Sequence, residues 1–404
     1  MPAYDRFLLA LTCIVLAPTA EANWLHYRGP TQNGLVAEPL AANLSSPPRT
    51  LWTLNVGVGT AAVTVKGDHA FTAGNFEKAK DLVQCIDAKS GKPVWKFEYS
   101  APLDPNLFEG GPRATPTIDG NVVYAVSNQG DLYALEAGSG KKLWTRNYKQ
   151  DFAGRRPEWG WAGSPTVEGN LLLLDVGGEG SSTVALNKTN GEVVWKSGND
   201  KAGYGSPVVA DFHGQRTVAV FKAEHLVGLS ARDGKELWRT PWKTSYDINA
   251  ATPLVIGNQI LITSGYGSGA ALIEISPSGA TEKWRNKSLR AHVNTPVVHQ
   301  GHIYGIDGNT GGGNLVCLEG ASGAVKWTEK SMKGGSLILA SGKLICFTEK
   351  GELVVCAASP SGFKAELRAP ILGKRSWVQP TLSGGRLFLK NNDGDLACLA
   401  FGGK

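Results

Sequence analysis

The sequence predicts an all-β chain folded as an eight-bladed β-propeller of four-stranded antiparallel blades, and three observations carry this reading. A Gly-x-x-x-Trp element recurs along most of the chain, in Gly91/Trp95, Gly140/Trp144, Gly191/Trp195, Gly234/Trp238 and Gly323/Trp327, and one residue longer in Gly279/Trp284. With Trp52 added, successive tryptophans stand 43, 49, 51, 43, 46 and 43 residues apart, the period of a propeller blade. The third observation is that the last repeat, 379–399, stops short of a fourth strand, while a spare strand, Thr50-Leu51-Trp52-Thr53, precedes the first repeat. Joining the two ends in one blade closes the wheel and leaves no exposed sheet edge at the seam.

Taken in chain order, residues 1–22 read as a leader. They hold Arg6, an apolar run from Phe7 to Leu16, Pro18 and the triplet Ala20-Glu21-Ala22, the order of a secretory signal peptide. The run is shorter than the roughly 20 residues a bilayer needs, so export to the periplasm or outside the cell is expected. Cys13 lies inside the apolar run behind Thr12, which argues against lipid attachment. Residues 23–49 are expected to pack on the propeller as an N-terminal extension, and 50–404 to form one propeller.

Within a repeat, a Pro-containing start opens strand A, as in Thr115-Pro116-Thr117, Ser164-Pro165-Thr166, Ser206-Pro207-Val208, Thr252-Pro253-Leu254, Thr295-Pro296-Val297 and Gln379-Pro380-Thr381. Turns such as Asp119-Gly120-Asn121, Gln129-Gly130 and Ser139-Gly140 then mark off strands B, C and D. Trp52, Trp95, Trp144, Trp195, Trp238, Trp284 and Trp327 sit on strand D, where a large flat side chain fills the wedge between neighbouring sheets. The repeat from Gly335 to Leu367 lacks the Trp and carries Glu366 near its place. Seven blades would follow if that repeat were only an insertion.

Composition excludes several classes. The net charge of +6 is spread along the chain with no basic run, so nucleic acid is not an expected partner. The Gly-rich pieces 177–180, 265–269 and 311–313 fall between strands B and C with no helix behind them, and read as hairpin turns rather than phosphate cradles. The histidines show no zinc spacing, and no metal site is expected. Cys85, Cys317 and Cys398 stand where other repeats have Ala134, Ala185 and Gly228, the place of a small buried strand residue. Cys346 and Cys356 fall on neighbouring strands of one blade, where bonded and free states both stay open.

The element A-x-[DEN]-x-x-[ST]-G-x-x-x-W, written out in Ala134 to Trp144, resembles the tryptophan-docking motif of the pyrroloquinoline quinone (PQQ) propeller family and covers nearly all of the chain after the leader. Trp24, Arg28-Gly29-Pro30 and Gly34 are similar to the opening of exported, non-catalytic members, the BamB-like branch. The resemblance implies a binding or scaffold module, with a protein partner or an extracellular small molecule or glycan. A monomer without cofactor is the expectation. The alternative it implies is a PQQ-dependent dehydrogenase oxidising an alcohol or sugar with Ca²⁺. The catalytic relatives carry adjacent cysteines against the cofactor, and no two cysteines here are consecutive. A carbohydrate-binding propeller is a further alternative.

With strand A innermost, the D-to-A and B-to-C connections share one face around the central tunnel, and any site is expected there. The candidates are the residues ahead of each strand A: Glu109, Arg113, Trp159, Trp161, Tyr204, Asn249, His292, Asn294, Arg375 and Trp377, with Asp247 and Lys333 beside them. Aromatic planes, amides and cations converging on a funnel suit a flat, polar or anionic ligand.

Overall fold

The structure, a computed structural model, describes residues 23–40, 44, 46–104 and 108–402; the expected leader, 1–22, lies outside them. Eight antiparallel meanders follow one another around a ring. Blade 1 is built from Thr64–Lys66, His69–Phe76, Lys80–Asp87 and Pro93–Ser100, strands A to D in order. Blades 2 to 7 repeat the order over 117–147, 166–197, 208–241, 254–286, 297–329 and 335–370. Blade 8 takes strands A to C from 381–400 and its outer strand from Thr50–Asn55, with Trp52 opposite Cys398. The Trp-less repeat forms a complete blade 7, so the seven-bladed reading falls.

The Ser/Thr-Pro starts explain how innermost strands are tied to each other. The amides of Ala62, Thr115, Ser164, Ser206 and Thr252 donate to the side-chain oxygens of Thr115, Ser164, Ser206, Thr252 and Thr295 of the next blade, at 2.9 to 3.1 Å. A second tier runs one step along. The hydroxyls of Thr64, Thr117 and Thr166 donate to the carbonyls of Pro116, Pro165 and Pro207 at 3.0, 2.6 and 2.7 Å. Thr381 carries the tier across the seam to Val63 at 2.7 Å. Val208, Leu254 and Val297 interrupt it, having no hydroxyl. At Leu254 the N-terminal segment intervenes: Arg28, 1% exposed, donates to the carbonyls of Thr295 and Pro296 at 2.9 and 2.7 Å.

That segment lies inside the tunnel. Asn23–Trp24 pairs antiparallel with strand A of blade 1, Ile118 of blade 2 donates to the Leu25 carbonyl at 2.9 Å, Gln32 bonds Thr166 of blade 3 at 3.0 Å, and Leu35–Val36 pairs parallel with strand A of blade 7. The chain before the wheel thus caps inner strand edges that would otherwise stay unpaired.

On the outside, tryptophans bridge neighbouring blades. The indole N–H groups of Trp52, Trp95, Trp195, Trp284 and Trp327 donate to the carbonyls of Ala88, Ala137, Ala231, Gly320 and Ser359 at 2.8 to 3.1 Å, each in the following blade. The rings of Trp52, Trp95, Trp195 and Trp284 lie on the turn glycine of that blade: a Cβ at Gly140 would stand 2.6 Å from the Trp95 ring, whereas one at Gly362, in the blade after Trp327, would meet nothing within 4 Å. The Trp144 indole N–H has no partner. Trp238 lies over Gly228 of its own sheet, where a Cβ would meet it at 2.0 Å. In blade 7, Ala365 and not Glu366 takes the Trp position, opposite Cys356; a bulge just before it moves the register by one, and Glu366 turns out to pair with Lys343. Cys85, Cys317 and Cys398 sit opposite Trp95, Trp327 and Trp52. All five cysteines of the described residues are buried and free. Cys346 faces Val354 while Cys356 faces Leu344, so the two are offset along their strands and not directly opposed, as a bond between them requires.

Two consequences are measurable. Trp95→Ala should cost about 3–5 kcal/mol in urea unfolding, whereas Trp144→Phe should cost less than Trp95→Phe, because only the latter leaves a buried carbonyl without its donor. Lys390, fully buried, donates across the seam to the carbonyls of Ala61 and Ala73 at 2.9 and 3.2 Å with no carboxylate, and burial pulls its ammonium down to about 7 from 10.5. Between those pH values the unfolded chain holds a proton that the fold lacks, so stability rises with pH across that window. Lys390→Met should abolish the rise, read as the difference in melting temperature between the two proteins at neutral pH and near 10.5.

Candidate functional site: an aromatic-rimmed funnel

The D-to-A connections descend into the wheel on one face and enclose a cavity of about 370 Å³. Its wall repeats blade by blade, with Ser164, Ser206 and Thr252 contributing the same girdle hydroxyls that tie the blades. Tyr27, from the segment in the tunnel, lines it from within. Arg28, the next residue, is anchored to the strand A start of blade 6, which holds Tyr27 in place on the tunnel side of the cavity.

Five of the sequence candidates line this cavity: Arg113, Trp159, Tyr204, His292 and Trp377. Arg113 donates to the Trp159 carbonyl at 3.0 Å, and burial lowers its guanidinium below the usual range. The Tyr204 hydroxyl accepts from the Trp159 amide at 3.4 Å, and burial raises its phenol to about 12. His292 is 5% exposed, with both ring nitrogens lacking a hydrogen-bond partner, and burial lowers it to about 4. It is therefore a neutral ring at pH 7, able to donate from one nitrogen and accept at the other.

The other candidates lie elsewhere. Trp161 is 1% exposed; its indole donates to Val176 at 3.0 Å and stands edge-on to Tyr148 in the core of blades 2 and 3. Asn249, wholly buried, donates to the carbonyls of Lys222 and Ala223 at 2.8 and 2.9 Å and accepts from Ser264 at 2.7 Å. It satisfies backbone groups of a turn. Asn294 is buried with an unpartnered Oδ1 and is not among the lining residues. Glu109 and Arg375 sit at the mouth, paired at 2.9 Å, with Asn392 donating to Glu109 at 3.1 Å. The Arg375 guanidinium lies over Phe108 and Trp377, 5.5 and 5.2 Å from their centroids. Asp247 pairs with Lys201 at 3.0 Å, and Lys333 is exposed at the edge of a neighbouring groove.

Three rim residues escaped the sequence reading. Phe108, Tyr246 and Tyr266 are 61%, 65% and 40% exposed, and all have left-handed backbones with φ of 54, 65 and 51°. A bulky residue there is strained, and such strain concentrates where the chain presents groups to a ligand. Tyr246 stands edge-on to Trp159 at 6.4 Å and to Tyr266 at 5.5 Å, and Tyr266 to His292 at 5.0 Å, so the rings form an unbroken arc. The one sequence signal was Tyr266 between Gly265 and Gly267, a turn built around an aromatic.

Among the described residues no three His, Cys, Asp or Glu side chains are placed to hold a metal ion, and no helix is long and apolar enough to cross a membrane. The funnel lining contains no carboxylate. Those residues do not supply the donors that a metal-held quinone would require.

Wheel, seam and funnel together define a propeller of the PQQ type. The chain belongs to the family described as outer membrane protein assembly factor BamB, which matches residues 45–145 and 79–329. No curated protein matches the sequence. Among solved structures, BamB from Moraxella catarrhalis is 15% identical over 88% of this chain and 100% of its own, with a TM-score of 0.64. The quinohemoprotein alcohol dehydrogenase from Comamonas testosteroni is 14% identical over 95% of this chain and 81% of its own, also at 0.64. The computationally designed Ika8 protein is 9% identical over 90% and 100%, at 0.62. At these identities the likeness is one of fold.

Acidification should expose the unpartnered imidazole. From pH 6.5 down to about 4 the unfolded chain binds a proton at His292 that the folded chain does not, so stability falls through this window. The loss should be smaller in His292→Phe, which keeps a ring against Tyr266; equal pH profiles of melting temperature would refute it.

Proposed function

We propose that this chain is an exported, non-catalytic binding propeller that holds a partner protein at the mouth of its funnel. The observation that carries the reading is the set of exposed rings of Phe108, Tyr246 and Tyr266, on strained backbone, next to Trp159, Trp377 and Arg375 around the cavity. Tyr, Trp, Phe and Arg are the residues enriched in the centres of protein interfaces, where a few desolvated anchors carry most of the affinity. The family description, an assembly factor of the outer membrane, and the leader-like residues 1–22 support a role in the cell envelope. Quinone-dependent oxidation of an alcohol or sugar fits less well, since a carboxylate-free lining gives a divalent cation no anionic ligand.

A photo-reactive side chain placed at Phe108 or Tyr246 tests this in intact envelopes, with Asn121 on the opposite face as control. One defined protein should be captured from both rim positions and not from Asn121, and Tyr266→Ala should weaken capture about tenfold or more, the usual loss for an interface anchor. Identical adducts from all three positions would overturn the reading. So would saturable absorbance changes on titrating PQQ with Ca²⁺ into the purified protein. Glycan-array binding lost in Trp159→Ala would replace the protein partner by a carbohydrate.

A further inference from the structure

A second concavity, about 690 Å³, lies beside the funnel on the same face, where connections of blades 6, 7 and 8 meet. Five of its ten lining residues are cations, Lys330, Lys333, Lys350, Lys374 and Arg375, against a single carboxylate, Glu349. All five cations are exposed. Glu349 is already satisfied: it accepts from the Gly311 amide at 3.0 Å and from the Trp377 indole at 2.8 Å, with Arg375 at 3.7 Å. Lys374 pairs with Asp393 at 2.8 Å. Lys330, Lys333 and Lys350 have no ion pair among the described residues.

These three, from two separate connections, face one groove with no carboxylate paired to them. Lys333 holds a left-handed backbone with φ 51°, so its loop presents the ammonium at a conformational cost. The opposite wall is Gly311-Gly312-Gly313, and a Cβ at Gly311 or Gly312 would meet nothing within 4 Å. That side is open, with room for an extended chain. Glu349 fixes this wall to Trp377 of the funnel rim, which makes groove and funnel one continuous surface.

We infer that the groove takes an acidic segment of the partner protein whose other contacts fall on the aromatic rim. The inference rests on the binding-propeller reading. Four of the five cations are lysines, compact point charges without the fixed fork that guanidinium offers a carboxylate. Recognition therefore depends on the number of negative charges more than on their geometry, which suits a run of Asp and Glu, and it weakens with salt.

Fluorescence anisotropy of a labelled oligoglutamate peptide tests it directly. The peptide should bind the purified protein at low ionic strength, lose affinity steeply as salt is added, and bind about tenfold or more weakly to the triple variant K330E/K333E/K350E, given the modest worth of each exposed pair. The three lysines are exposed and unpaired, so an unchanged melting temperature in the variant is expected and separates lost binding from lost folding. Equal affinity in variant and parent, or no preference over a Gly/Ser peptide of the same length, would overturn the inference. Lysine-dependent binding of inorganic tripolyphosphate without oligoglutamate binding would overturn it in favour of a phosphate-bearing ligand. No oligoglutamate binding by the parent protein, with rim capture intact, would sink the groove alone; lysine-dependent peptide binding without rim capture would sink the rim reading alone.

Discussion

The hydrogen bonds that tie innermost strands to the starts of their neighbours set the geometry of everything else. They run from backbone amide to Ser or Thr hydroxyl, and from hydroxyl to Pro carbonyl, at the radius where blades come nearest. Pro suits this place because it brings no N–H of its own to satisfy on a buried inner edge. Once these links fix the angle between sheets, the outer wedge has a set width, and the indole of strand D fills it with its N–H on the following blade. The tryptophan that dominates the sequence pattern is thus the outer partner of a smaller, inner constraint.

That division explains which parts of the fold were legible. Period, strand order and the shared closing blade are carried by residues that repeat, so stacking the repeats exposes them. The sequence put Glu366 near the Trp place in blade 7 but could not fix the register, because a bulge between Val355 and Cys356 puts the adjacent Ala365 there, and a bulge leaves no mark in composition. The threading of residues 23–36 through the tunnel was not legible either. It depends on Arg28 reaching blade 6, 267 residues away in sequence, where Leu254 has no hydroxyl to offer.

The candidate site was legible in part for the same reason. Arg113, Trp159, Tyr204, His292 and Trp377 line the cavity because residues ahead of strand A descend toward the axis in every blade. Trp161 and Asn249 precede strand A too, yet turn away to satisfy Val176 and the turn after strand B of blade 4. Position relative to the repeat cannot distinguish the two outcomes, since each depends on which neighbouring carbonyl lacks a donor. Phe108, Tyr246 and Tyr266 belong to no repeated position, and Tyr27 lies before the first repeat.

The segment at the axis has a consequence for how the molecule is made. Its partners include strands of blades 6 and 7, and the strand beginning at Thr50 needs Cys398, so the first part of the described chain to be synthesised completes its contacts last. Asn23–Trp24 can pair with blade 1 early, but until blades 6 to 8 emerge Arg28, Leu35–Val36 and the Thr50 strand lack their partners. Assembly is governed by contacts distant in sequence, which slows it and lengthens the time that sheet edges are open to wrong pairing.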